Sequence, residues 1–269
     1  MDNSQHERWA KAFGGAAAVY ERTRPDYPED AVRWLVGTNP SKILELGAGT
    51  GKLTSTLLKQ GHRVVASEPS KPMLRLLRTR IPTPPMIQAS AEQIPLASSS
   101  VDLVLAGQAF QWFDAEKALP EIARVLRAAG VIGLLSNYRD ESVPWVRRLG
   151  RLMGSREPQD HEADPAGTLE ESGLFEGVEK KTFRHWQQID RDGLLGLVSS
   201  RSYVIDMPED RRQKLLAEVG ELYDGYGRGR DGMVLPYRTD CYRGRVSGLA
   251  NYRRDQDPPL DDGLLIDFT

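Results

Sequence analysis

Ten residues constrain this chain more than any others: Lys42-Ile43-Leu44-Glu45-Leu46-Gly47-Ala48-Gly49-Thr50-Gly51. The short apolar run Ile43, Leu44, Leu46 predicts a buried strand. It stops at three glycines on alternate positions, and helical spacing of Leu53, Leu57 and Leu58 then continues to Gly61. Residues without a Cβ let the backbone turn tightly and let a ligand lie directly on it. The free N–H groups at the start of the next helix face the crevice above the strand. The pattern therefore predicts a strand, loop and helix that bind a nucleotide-type ligand.

The spacing narrows the ligand. A dinucleotide turn, G-x-G-x-x-G, needs its third glycine where this chain has Lys52; the glycine comes one residue early, at Gly51. A phosphate loop ending G-K-[ST] fails as well, because Leu53 follows Gly51-Lys52. What remains is an E-x-G-x-G-x-G arrangement, with an acid beside bare backbone.

The following stretch repeats the alternation. Residues 63–67 (Arg-Val-Val-Ala-Ser) predict a second strand with Glu68 at its tip, seventeen positions after Gly51. In a βαβ unit that position suits accepting the protons of ribose hydroxyls. Ser70 is expected to cap a helix whose inner face is Met73, Leu74 and Leu77. A short strand is expected at 86–88. Residues 101–106 (Val-Asp-Leu-Val-Leu-Ala), apolar on both faces, predict a central parallel strand. Asp114 is expected to open a helix ending at Gly130, followed by a fifth strand at 131–135. The order implies a doubly wound parallel sheet. Its ligands would sit beyond the carboxyl ends of the strands, where Gln108, Phe110, Gln111 and Trp112 follow the central strand. The three aromatics at 110–113 are read equally well as pocket and as core.

Around this frame lie less regular segments. Two short helices broken at Gly14-Gly15 are expected first, then the loop Tyr20-Glu-Arg22-Thr-Arg24-Pro25-Asp-Tyr27-Pro28. That loop reads either as a lid over a cleft or as a surface connection, and pattern alone favours the second. A helix over 29–36 follows. Past Asn137-Tyr138 the alternation lapses into helical insertions at 140–170 and 190–235. Sheet pattern returns at 177–183 and in a last strand-pair region at 235–246. Residues 1–250 are expected to form one domain with 1–28 as its lid, and the polar 251–269 stretch is expected to be disordered.

Composition limits the functional class. With 269 residues, 39% of them hydrophobic, the chain can bury a sizeable core. A net charge of −2 offers no global field toward nucleic acid or anionic membranes. One cysteine excludes an internal disulfide, and the four scattered histidines have no metal-ligand spacing. Neither a signal-peptide pattern nor a bilayer-length apolar run is present. The expectation is a cytoplasmic protein with no metal, membrane or nucleic-acid partner; its oligomeric state stays open.

Four blocks carry a family resemblance: residues 20–28, Ile43 to Gly51, Ala91-Glu92-Gln-Ile-Pro95, and Gln108-Ala-Phe110-Gln111-Trp112-Phe113. Together they resemble class I S-adenosylmethionine-dependent methyltransferases of the methyltransferase type 11 branch, and within it the trans-aconitate methyltransferase-like proteins. The resemblance implies a Rossmann-like, doubly wound, seven-stranded, mostly parallel sheet with an antiparallel final strand. Helices would cover both faces, and helical insertions would lie over the C-terminal strand edge. It also implies methyl transfer from S-adenosylmethionine to a small-molecule acceptor. Glu45 and the Gly47 backbone would hold the methionine end; Ala48, Gly49 and Gly51 would line the cofactor. Glu68 would take the ribose, Ala91 and Glu92 the adenine edge, and Gln108 the sulfonium. Many relatives carry aspartate in place of Ser90, so no adenine N6 contact is assigned, and histidine in place of Gln111, so no catalytic base is assigned.

For the acceptor, Tyr20, Arg24 and Tyr27 of the loop, Phe110, Gln111 and Trp112 of the turn, and Arg201 and Tyr203 of the insertion are expected to contribute. Two arginines among aromatics would suit a carboxylate. A non-catalytic cofactor-binding protein, a nucleic-acid methyltransferase and a nicotinamide oxidoreductase remain as alternatives.

Overall fold

A computed structural model describes residues 23–154, 164–226 and 232–248. The expectations for the two N-terminal helices, for Tyr20 and for the 251–269 tail lie outside those residues. The chain opens with α1 (Glu29–Val36), β1 (Lys42–Leu46), α2 (Lys52–Lys59), β2 (Arg63–Ser67), α3 (Lys71–Arg80), β3 (Met86–Ile87) and β4 (Val101–Gly107). A single 3₁₀ turn at Phe110–Trp112 leads to α4 (Ala115–Val125) and β5 (Leu126–Arg139). Then come α5 (Pro144–Leu152), α6 (Pro165–Glu171), β6 (Phe175–Ile189), α7 (Arg191–Ser199), α8 (Ser202–Ile205), α9 (Glu209–Tyr226) and β7 (Met233–Val246).

The seven strands form one sheet in the order β3-β2-β1-β4-β5-β7-β6, and the four pairings among β1 to β5 are parallel. The chain winds outward from β1 through β2 to β3, then returns to place β4 on the other side of β1. That reversal opens a crevice beyond the carboxyl ends of β1 and β4. The doubly wound, mostly parallel sheet expected from the sequence is the fold observed.

The central strands alternate their side chains between two cores. Leu44, Val65, Val104 and Ile132 point to one face, against Leu119 and Ile122 of α4. Ile43, Val64, Leu103 and Leu105 point to the other, against Val32 and Leu35 of α1 and Leu53 and Leu57 of α2. Each such side chain contributes about 1.5–3 kcal/mol on burial, so these layers fix the strand register.

By internal packing the chain divides into two units. Within the described residues, the first draws on 27–136, 164–183 and 239–248, and the second on 23–26, 137–154, 184–226 and 232–238. The second unit has its own core, in which Val146 and Leu149 of α5, Leu194 and Leu197 of α7, and Val219 and Leu222 of α9 meet Leu235 and Tyr237 of β7.

Several local expectations change. The helix opened by Asp114 ends at Val125 rather than Gly130, and Leu126 already belongs to β5. Leu126 pairs with Val101, and Ala129 takes a left-handed φ of 59°, so sheet pairing overrides the alanine-rich helical pattern there. Ser70 and Asp114 occupy N-cap positions, but neither side chain makes a capping hydrogen bond; the Asp114 carboxylate takes Lys117 at 2.6 Å instead. The 235–246 region is one long strand, not a pair, and the strand expected at 177–183 extends over Phe175–Ile189.

Candidate functional site

The glycine loop leaves β1 in left-handed conformations, with φ of 67°, 56° and 89° at Gly47, Gly49 and Gly51. The three glycines serve different ends. A Cβ on Gly47 would stand 2.6 Å from the Ala109 Cβ, so the loop and the segment after β4 approach closely at that point. A Cβ on Gly51 would overlap Leu77 of α3. The early third glycine thus does the helix-packing work that a dinucleotide turn assigns one residue later. A Cβ on Gly49 would meet no atom within 4 Å, so the loop presents an open backbone face there.

Two buried acids anchor this loop. Glu68, 7% exposed at the end of β2, accepts hydrogen bonds from Gly49 N and Ser70 N, both at 2.8 Å. One carboxylate thus ties the loop to the start of α3, and each oxygen keeps a lone-pair direction for a further donor. Burial raises its pKa, while the two N–H donors oppose that rise. The Ser70 hydroxyl next to it is enclosed, with no hydrogen-bond partner among the described residues. Glu45, 2% exposed on β1, accepts from Thr54 Oγ1 of α2 at 2.6 Å. Burial is the main cause pushing it up to about 8; the Glu68 charge adds to the rise, and the Thr54 bonds oppose it.

The rim is built from backbone and long-range ties. Arg80 Nη1 donates to Thr50 O at 2.8 Å, and Ser67 Oγ to Ala89 O at 3.0 Å. Ala91 is buried, and Glu92 accepts from Asp114 N through Oε1 at 2.9 Å. Gln108 follows β4 with a left-handed φ of 57°, its N donating to Leu135 O at 2.8 Å. A non-glycine residue held there carries backbone strain of about 1–3 kcal/mol, which surrounding packing must sustain. Phe110 packs on the main core and meets Phe113 edge-on at 5.8 Å, whereas Gln111 and Trp112 are exposed. Tyr27 reaches Gly107 closely enough that a Cβ there would stand 2.8 Å from its hydroxyl.

The remaining candidates belong to the second unit, which brings three of them together. Arg24, Arg201 and Tyr203 lie within electrostatic reach of one another, joined by Arg139 from the end of β5 and Tyr237 from β7. The Arg201 guanidinium makes no ion pair or hydrogen bond among the described residues, and its Nε is fully enclosed. Its pKa is lowered by burial first and then by the Arg24 and Arg139 charges. Tyr237 is 3% exposed, its ring stacked on His185 at 5.2 Å and its hydroxyl without a partner among the described residues. Burial pushes that hydroxyl up to about 12, although the three arginines pull the other way. Glu141 lies 3.8 Å from Arg139. The sequence reading missed Arg139, Tyr237, Thr54, Ser70 and Arg80. Only Thr54, one helical turn past the glycines, carried a local signal.

A parallel sheet reversed between β1 and β4, with an acid-anchored glycine loop at the reversal, defines the class I nucleotide-binding methyltransferase architecture. Residues 44–134 match the methyltransferase domain family Methyltransf_11. The chain is 40% identical over 241 residues to an uncharacterized methyltransferase of Mycobacterium tuberculosis, covering 88% of this chain and 96% of that one. A malonyl-[acyl-carrier protein] O-methyltransferase of Methylococcus capsulatus is 33% identical over 163 residues, covering 56% of this chain and 59% of that protein. A solved structure described as a methyltransferase from Anaeromyxobacter dehalogenans superposes with a TM-score of 0.66 at 26% identity, over 82% of this chain and 97% of that one. This chain belongs to the S-adenosylmethionine-dependent methyltransferase family, and its cofactor is S-adenosylmethionine.

The residues present fit that cofactor. The open face at Gly49, the free lone pairs of Glu68 and the enclosed Ser70 hydroxyl offer room and polar partners for a ribose. No helix among the described residues is long and apolar enough to cross a membrane.

Proposed function

We propose that this protein methylates a small anionic molecule, a carboxylate being the leading acceptor class. The observation that carries this reading is Arg201: a half-buried side chain whose Nε is enclosed without a partner and which has no counter-charge among the described residues, beside two further arginines. Burying a charge without a partner is costly, and a ligand carboxylate would relieve that cost with bidentate hydrogen bonds. The Methylococcus relative is named for methylation at oxygen, which leans the same way.

When bound, S-adenosylmethionine supplies an electrophilic methyl group on a sulfonium. In this reading Glu68 accepts from the ribose hydroxyls and the Gly47 backbone with Glu45 holds the amino-acid end. Ala91 and Glu92 edge the adenine, and Gln108 lies near the reactive end. Arg24, Arg201, Tyr203, Arg139 and Tyr237 bind the acceptor. A carboxylate is already ionised at neutral pH, so orientation and water exclusion suffice without a dedicated base.

The direct test incubates the full chain with methyl-labelled S-adenosylmethionine and a panel of mono- and dicarboxylates, amines and phenols. Labelled product from an anionic acceptor is expected. Turnover of neutral acceptors alone would overturn the reading.

A further inference from the structure

We propose that Arg201 and Tyr237 hold an anionic anchor of the acceptor that is not itself methylated, so that substrates are bifunctional and the product keeps the anchor's charge. The inference rests on methyl transfer being the activity of this chain, and it adds a rule for which group reacts.

The argument starts from what the two side chains lack. Arg201 presents up to five N–H donors and Tyr237 one O–H, and among the described residues neither side chain has a hydrogen-bond partner. Tyr237 is almost wholly buried, its ring fixed against His185, so the hydroxyl direction is set by packing. Arg201 follows α7 directly, its N–H donating to Val198 O and its carbonyl accepting from Val204 N and Ile205 N. The Tyr237 ring and the Arg201 backbone are therefore held in place before any ligand arrives. Arg24 and Arg139 lie within electrostatic reach of both residues, and Arg139 also faces Glu141 at 3.8 Å. An oxyanion is the one common ligand chemistry that answers a guanidinium and a hydroxyl donor together.

An oxyanion held this way is a poor methyl acceptor. Its lone pairs lie in hydrogen bonds and its charge is neutralised, whereas substitution at the methyl carbon needs a lone pair free to form the new bond. Esterifying it would also remove the charge that Arg201 binds. The reacting atom must be a second group on the same molecule: another carboxylate, a hydroxyl or an amine. Its lone pair forms the bond to carbon while the carbon–sulfur pair stays on sulfur. A proton leaves only where the acceptor atom carried one. The anchor itself is a carboxylate or a phosphate.

The test uses the full chain saturated with S-adenosylhomocysteine. Thermal shift and calorimetry are run with succinate, inorganic phosphate and acetate on wild type, Arg201→Gln, Arg201→Lys and Tyr237→Phe. Succinate or phosphate should bind at least tenfold more weakly to Arg201→Gln, with partial recovery in Arg201→Lys. A several-fold loss is expected in Tyr237→Phe, and S-adenosylhomocysteine affinity should stay within about twofold throughout. The stronger of the two probes identifies the anchor as carboxylate or phosphate. Mass spectrometry of methylated products from a dicarboxylate and phosphomonoester panel should show one anionic group retained. A neutral methyl ester made from a monocarboxylate, equal anion binding by wild type and Arg201→Gln, or no anion binding by any of these probes would overturn the proposal. Failure to bind S-adenosylhomocysteine would instead sink the methyltransferase reading, a separate and distinguishable outcome.

Discussion

The glycine-loop site and the arginine group differ in how they are assembled. In the first, backbone does the work: Glu68 is satisfied by Gly49 and Ser70 N–H groups, and Glu45 by Thr54. Its residues fall within a short run of sequence, from Glu45 to Ser70, apart from the rim at 89–92 and 108. The second is made of side chains from positions 24, 139, 201, 203 and 237, and it leaves polar atoms of Arg201 and Tyr237 without partners. A site built mainly from backbone, with its carboxylates already held, suits a constant ligand shared across a family. One that keeps donors in reserve gains its partners from the substrate, so it is the part that can differ between relatives with the same fold.

The contrast is open to direct attack. The largest effect is expected from Gly49→Val. A branched residue at φ 56° is strained, and its side chain would fill the open face of the loop. Cofactor affinity should fall at least 100-fold by calorimetry; a folded variant binding normally would mean the ligand does not lie on Gly49. Glu68→Ala should cost about 1–3 kcal/mol of cofactor affinity, the scale of hydrogen bonds to a charged acceptor. Unchanged affinity with an intact circular dichroism spectrum would remove Glu68 from the ribose.

Arg24→Ala sharpens the division between the two regions. It should raise the acceptor KM about 5- to 50-fold while leaving cofactor affinity near wild type. Weakened binding of S-adenosylhomocysteine would move Arg24 from the acceptor to the cofactor.

The smallest effect concerns Glu45. Its native pKa, about 8, lies above the ordinary value of 4.5, so between those limits the native state holds more protons than the unfolded chain. The resulting stability is full below about pH 4.5 and is lost as pH rises toward 8. Urea midpoints of the cofactor-free protein should therefore decline over that window, and Glu45→Gln should flatten the decline. An equal slope in the variant would show that Glu45 ionises freely in the native protein.

How much was legible in the sequence follows from the range of the interactions concerned. The β1–loop–α2 unit, Glu68 at the tip of β2 and the doubly wound order were readable because hydrophobic period and glycine spacing act within about twenty-five residues. The fate of the helix after Asp114 was not readable. Residues 126–130 look helical alone, and only pairing of Leu126 with Val101 makes them strand. Gly51 could be seen as a glycine, but its packing against Leu77 depends on where α3 lands.

The residues proposed for the acceptor divide along the same line. Arg24, Arg201 and Tyr203 could be suspected from residue type alone. Arg139 reads as the end of a strand and Tyr237 as an ordinary strand aromatic, and nothing near either marks it as polar machinery. Their juxtaposition comes from the second unit's core, where α5, α7, α9 and β7 bury apolar faces contributed by distant segments. Local periodicity determined which elements form and where the glycine loop lies. Long-range burial decided which charges share a neighbourhood, because the free energy of packing those faces is indifferent to the sequence distance between them.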